Sequence, residues 1–252
     1  MSSAAKAFAD RVLTLCSVRA RPCLGARAGD PYWYPWRPTR IPTPPVTTPR
    51  TGRLFVVSAP SGAGKTSLVK ALLALEPRLA VSVSHTTRAP RPNEQNGREY
   101  HFVSPEEFNA LVRAGGFLEH ARVFDNQYGT GREQLEARLA AGHDIILEID
   151  WQGARQVRAA RPGTESIFIL PPSQPALRQR LEGRGTDSPE VIARRLADAQ
   201  GDMAHCSEFD YIVVNDDFQQ TLGELRQIIA GDSAPFRGDR AALQGLLANL
   251  LA

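Results

Sequence analysis

An α/β fold, with a parallel sheet at its core and a small mixed β subdomain inserted into it, is predicted by three observations. Four short apolar runs, "RLFVVSAP", "DIILEID", "ESIFIL" and "DYIVVN", lack polar alternation, as strands buried on both faces require. Helix-length segments set these runs apart, the order expected of βαβ units in a sheet covered on both sides. Between residues 81 and 128 the pattern changes to short alternating pieces, which fit a second, separate sheet.

Taken in order, residues 1–50 carry Lys6, Arg11, Arg19, Arg21, Arg27, Arg37, Arg40 and Arg50 against Asp10 and Asp30, then run into "DPYWYPWRPTRIPTPPVTTPR". Proline at this density removes backbone donors and blocks helix, so a disordered, extended N-terminal segment is expected over 1–50. An Arg-rich, acid-poor start also matches an organelle transit peptide, and an over-long start assignment would read alike. "RLFVVSAP" is the first strand, and "KTSLVKALLAL" follows with Leu68, Leu72, Leu73 and Leu75 at helical spacing until Pro77 stops it. "VSVSHTTR", "REYHFV" and "FLEHARVF" read as strands of the inserted piece. Ser104, Pro105 and Glu107 open a helix between the last two as a capping box. Thr130 with Glu133 predicts a second capping box, and Ser188 with Pro189 a further helix start. The domain is expected to occupy residues 51–231, with its core in 51–82 and 142–231 and the inserted subdomain in 83–130. A helical tail over 232–252 carries Leu243, Leu246, Leu247 and Leu250, a stripe that usually packs on its own domain.

Composition narrows the function. With 252 residues, 42% hydrophobic and 23% charged, the chain can bury one large core or two small ones. A net charge of +3 suits an anionic small substrate and is too slight to argue for nucleic acid. Cys16, Cys23 and Cys206 are odd in number and without C-x-x-C spacing, which suggests neither disulfide framework nor zinc site and points to a reducing, cytoplasmic setting. No run of about 20 apolar residues is present to cross a membrane.

The chemistry starts at "SAPSGAGKTS". A phosphate loop is written G-x-x-x-x-G-K-S/T, and counting back from Lys65 puts Ala59 where the first glycine stands. Pro60, Ser61, Gly62, Ala63 and Gly64 would aim backbone N–H groups into a concavity, ahead of a helix whose N-terminus favours anions. Lys65 supplies a point charge, the Thr66 hydroxyl can ligate Mg²⁺, and Ser67 follows on the helix. Ala59 sits at the strand's end, where a methyl is tolerated. A merely glycine-rich turn would not need Lys65.

Two further clusters suggest an acceptor. "SHTTRAPRPNEQNGREY" brings Ser84, Arg88, Arg91 and Tyr100, a set suited to a second phosphate because guanidinium forks bind phosphate bidentately. Read alone, the two arginines could equally be surface residues of a proline-rich turn. "FLEHARVFDNQYGT" offers Glu119, Tyr128 and Thr130, although a lone glutamate is usually solvated surface.

At this point the sequence resembles the guanylate kinase family, from about Arg53 to about Ala230. The match runs through "SAPSGAGKTS", "VSVSHTTRAPRPNEQNGREYHFV", "FLEHARVFDNQYGT", "ILEIDWQGA", "FILPPS", "LEGRGTDS" and "YIVVNDD" in the family's order. Bacterial members commonly show A-P-S-G-A-G-K, which accounts for Ala59. The resemblance implies a P-loop nucleoside monophosphate kinase fold in which the inserted subdomain binds GMP and a helical lid covers about 178–196. The implied reaction is ATP-dependent phosphorylation of GMP, and of dGMP, with Mg²⁺. By matching position, Ser84, Arg88, Arg91, Tyr100 and Tyr128 resemble the GMP phosphate ligands. Glu119 and Thr130 resemble the guanine readers, with Asp150 nearby. Arg180, Arg184 and Arg195 resemble lid arginines that close on ATP, and Asn215 resembles a contact to adenine. Lys65, Arg88, Arg184 and Arg195 are the residues expected to act in transfer. Glu148 departs from a common D-I-D, and Gln127 stands where many members have tyrosine.

Rival readings are separable. Guanylate kinase-like binding modules in scaffold proteins have lost phosphate-loop residues, whereas Lys65, Arg88 and Arg91 are all present here. A P-loop GTPase would need an N-K-x-D guanine motif, which is missing. A P-loop kinase for another phosphate ester would not need Glu119 with Thr130.

Overall fold

A computed structural model of the protein describes residues 50–123, 125–183, 188–238 and 241–252. The expectations placed on residues 1–49 and on Arg184 lie outside these residues.

The core is a five-stranded, all-parallel sheet of β1 (Leu54–Ser58), β2 (Leu79–Val81), β7 (Asp144–Glu148), β8 (Glu165–Leu170) and β9 (Tyr211–Val214), in the order β2-β7-β1-β8-β9. Alternation along each strand divides the core in two. Leu54, Val56, Ile145, Leu147, Phe168, Leu170 and Ile212 face one side. There they meet α3 (Arg132–Ala140), α4 (Trp151–Ala160), α5 (Gln174–Glu182), α6 (Pro189–Met203) and α8 (Ala242–Leu251). Phe55, Val57, Ile146, Ile167, Ile169 and Val213 face the other side, against α1 (Lys65–Leu75) and α7 (Phe218–Ala230). Each such buried Leu, Ile or Phe contributes about 1.5–3 kcal/mol, so both faces are needed.

β1 is the central strand, every residue of it buried. The chain leaves β1 toward the β7 side, and after β7 it crosses to β8 on the opposite side. A crevice therefore opens at the carboxyl end of β1, where strand order reverses and ligands of open α/β sheets bind.

The inserted piece is a four-stranded mixed sheet, ordered β4-β3-β6-β5, made of β3 (His85–Thr86), β4 (His101–Phe102), β5 (Phe117–Val123) and β6 (Asn126–Gly131). α2 (Pro105–Arg113) packs on it through the buried Phe108, whose ring lies against Phe117. The run "VSVSHTTR" serves both sheets: its start pairs with β7 and its end with β6, so it is two strands and not one.

Helix starts follow side-chain chemistry at α2, where Ser104 and Glu107 form the expected capping box, and at α6, where Ser188 accepts from the Val191 N–H. The box expected at Thr130 and Glu133 does not form. α3 is capped by Gly131 without a side-chain bond, because Thr130 is the last-but-one residue of β6 and its hydroxyl is spent across the sheet.

Candidate active site

The loop after β1 opens α1 with Gly62 at φ +92° and Gly64 at φ +96°. Both glycines are also close-packed. A Cβ on Gly62 would stand 2.9 Å from Leu177 of α5, and one on Gly64 would stand 2.4 Å from the Asn215 amide nitrogen. The Ala59 methyl packs with the core on the α1 side, which is why the first glycine of the motif can be replaced. Lys65 donates toward the Ile149 carbonyl at 3.4 Å. Enclosure lowers its pKa, opposed by the charges of Glu148, Asp150 and Asp202.

Loop, core and inserted sheet together enclose a cleft of about 670 Å³. The loop side contributes Ala59, Pro60, Ser61, Gly62, Gly64, Lys65, Thr66 and Ser67; Ala63 is buried beneath it. The inserted sheet contributes Ser84, Tyr100, Glu119 and Tyr128. Antiparallel register sets Glu119 directly opposite Thr130, and the Thr130 hydroxyl donates to Glu119 Oε1 at 2.6 Å. Thr130 is fully buried and Glu119 is 3% exposed, with its free edge on the cleft. Burial raises the Glu119 pKa from 4.5 to about 7, helped by the charge of Asp150 and resisted by the Thr130 bond. Burial also raises the Tyr100 phenol, keeping it a neutral donor beside Tyr128, whose ring lies 5.9 Å away.

The sequence-predicted arginines sit less simply. Arg88 donates from Nη2 to both Glu94 carboxylate oxygens at 2.8 Å, and its guanidinium lies over the Tyr100 ring at 5.5 Å. Arg91 is exposed, and its backbone N–H also goes to Glu94. Both stand on the flank of the cleft and not in its wall. Asp150 lines the cleft and caps α4, accepting from the Gly153 N–H at 2.8 Å.

Arg180 and Asn215 brace the loop from behind. The Asn215 amide donates to the Ala63 carbonyl at 2.7 Å, and Arg180 donates to the Asn215 carbonyl at 2.8 Å. Arg195 is half-buried on α6, outside the cleft wall. The α6 face that does line the cleft holds Arg194, Asp198 and Asp202, one helical turn apart. Asp202 is raised to about 6 by burial and by the charge of Asp150, while Lys65 pulls it back. Sequence reasoning missed these residues and His205 beyond them. Their spacing of four was the available signal.

The family model for guanylate kinase matches residues 51–232. The chain is 55% identical over 200 residues to a guanylate kinase of Alkalilimnicola ehrlichii, covering 79% of this chain and 98% of that one. It is 59% identical over 183 residues to one from Thiobacillus denitrificans, covering 73% and 86%. Among solved structures, the crystal structure of guanylate kinase from Anaplasma phagocytophilum superposes with a TM-score of 0.61 at 34% identity, covering 79% of this chain and 94% of that one.

Proposed function

The chain belongs to the guanylate kinase family, and on that premise we propose that it moves the γ-phosphoryl group of ATP onto GMP, and onto dGMP, in line across this cleft. The observation that carries the reading is the buried Glu119–Thr130 pair, placed across one cleft from a phosphate loop. Guanine presents N1–H and its N2 amine as adjacent donors, and a carboxylate offers two acceptors at matching separation. Adenine has an acceptor at N1 and no amine at C2, so it would leave the cleft-facing edge of the carboxylate without a donor.

Transfer needs positioning and charge neutralisation more than covalent help. A GMP phosphate oxygen is already anionic and attacks Pγ without a general base. As the new O–P bond forms, the bond from Pγ to the bridging oxygen breaks and its electron pair leaves with ADP. The loop N–H groups and Lys65 hold the ATP phosphates, and Asn215 keeps the loop in shape through Ala63. Ser84, Arg88, Arg91, Tyr100 and Tyr128 receive the GMP phosphate, with Arg88 exchanging Glu94 for it. Arg184 and Arg195 bring positive charge to ATP as the lid closes, and Arg180 adds its charge from behind the loop while it holds the Asn215 carbonyl.

Mg²⁺ fits the donors present. Thr66 is exposed on the cleft, and Glu148 and Asp202 line it too, all oxygen ligands of the class Mg²⁺ takes. When bound it would neutralise charge on the phosphates.

A coupled assay with GMP, dGMP, AMP and UMP tests the reading, with turnover expected for the two guanine nucleotides. Faster turnover of AMP or UMP would overturn it. Lys65→Met should abolish turnover while calorimetry still finds GMP bound at near-native affinity; collapse of GMP binding would refute separate sites for the two nucleotides.

A further inference from the structure

Glu119 is held from a second direction. Its Oε2 lies against the first turn of α4, where a Cβ built on Gly153 would stand 2.6 Å from Oε2 and 3.2 Å from Cδ. Real Cβ atoms do not approach a carboxylate oxygen that closely, so either the side chain or the helix would have to move. The helix is not free to retreat. Gln156, three residues on, donates to the His120 carbonyl at 2.8 Å and accepts from the His120 N–H at 3.1 Å. Its amide thus pairs with β5 as another strand would, at the residue beside Glu119. β5 is the outer strand of its sheet, so α4 occupies an edge that would otherwise lie open.

Backbone conformation supplies no reason for glycine at 153. It is a helical position without a positive φ, where alanine is the better helix former. Its own N–H is already spent on Asp150, so it gives Glu119 no bond. What remains is the space it leaves.

We propose that Gly153 is a positioning residue for base recognition: its missing side chain leaves the notch in which Glu119 Oε2 sits, at a depth set by the Gln156 clamp. Thr130 fixes one carboxylate oxygen, and α4 limits where the other can go. This inference rests on the reading of Glu119 as the guanine reader.

The test is a double-mutant cycle on KM for GMP at saturating ATP, using Gly153→Ala, Glu119→Gln and the pair. Gly153→Ala alone is expected to raise KM for GMP about tenfold, with KM for ATP within about twofold and kcat changed less. In the Glu119→Gln background the same substitution should change KM for GMP by no more than about twofold. An unchanged KM in the single variant, or an equal rise in both backgrounds, would overturn the proposal. If Glu119→Gln alone left KM for GMP unchanged, the base-reader assignment would fall and this inference with it. Should Gly153→Ala not fold, adding Glu119→Ala must restore cooperative melting, and failure to do so counts against the notch.

Discussion

A buried carboxylate is costly unless its bonds are made, and Glu119 has one firm partner, the Thr130 hydroxyl. With a folded pKa of about 7 against 4.5 unfolded, it takes up a proton on folding between those values. Stability from this group is therefore greatest below pH 4.5, is lost as pH rises through 7, and amounts to about 3 kcal/mol at most. Glu119→Gln should accordingly raise the melting temperature more at pH 8 than at pH 5. The same variant should lower kcat/KM for GMP by about 10²-fold, because guanine needs the ionised form. In the native protein GMP affinity should weaken about tenfold per pH unit below pH 7, beyond whatever Glu119→Gln shows from titration of GMP itself. Equal profiles in both proteins would remove Glu119 from the base site. Asn215 gives a contrasting case, since its amide meets the loop and not the cleft. Asn215→Ala should cost about 1–3 kcal/mol in melting and raise KM for ATP well above any change for GMP. The types of both residues were legible in the sequence. Their partners were not, because Thr130 meets Glu119 only through strand register and Asn215 meets Ala63 across 152 positions.

Elements were legible where one local signal decides them. Continuous apolar runs became buried strands because burial on both faces leaves its mark in each run itself, whichever strands it pairs with, and Ser104 and Ser188 became caps because a cap needs only neighbours three residues on. The failure at Thr130 is of the opposite kind: a sound capping pattern lost its oxygen to a cross-strand carboxylate. Likewise the run after Pro77 was divided between two sheets by pairing partners far along the chain. The same limit applies to α6, whose sequence shows two adjacent arginines without saying which faces inward. Arg194 is on the cleft face, and Arg195 lies about 100° around the helix from it. If Arg195 reaches ATP only as the helix closes, Arg195→Ala should lower kcat by about 10²-fold while KM for GMP changes by less than threefold. Steady-state kinetics with GMP varied would decide it. Parallel changes in kcat and KM would mark Arg195 as a packing residue of α6.

At the scale of the molecule, order reversal about β1 explains why one cleft is lined by the glycine-rich loop, α6 and the inserted sheet together. The inserted strands lie between β2 and β7 in the chain, so the wall that carries Glu119 and Thr130 returns to the core sheet at β7, next to β1 and the loop that follows it. Apolar runs suggested the layers, but strand order is a property of long-range pairing and had to be seen. The guanylate kinase model spans residues 51–232, and one curated relative matches over 98% of its own length within 200 residues of this chain. Catalysis should therefore survive without the N-terminal segment. The place to cut is set by Arg50, whose guanidinium meets Asp144 at 3.1 and 2.9 Å at the start of β7. Arg53 also binds that carboxylate, through its backbone N–H at 2.8 Å and its side chain at 3.2 Å. A chain beginning at Arg50 should keep kcat and both KM values within about twofold and melt with the full-length protein, since every described contact to Asp144 remains. Removing Arg50 as well deletes a pair whose arginine side chain is 47% exposed, and this should cost less than about 1 kcal/mol. Calorimetric melting and GMP-dependent turnover of the three lengths provide the measurement. A large loss of turnover on removing residues 1–49 alone would mean that the segment contributes to the site itself.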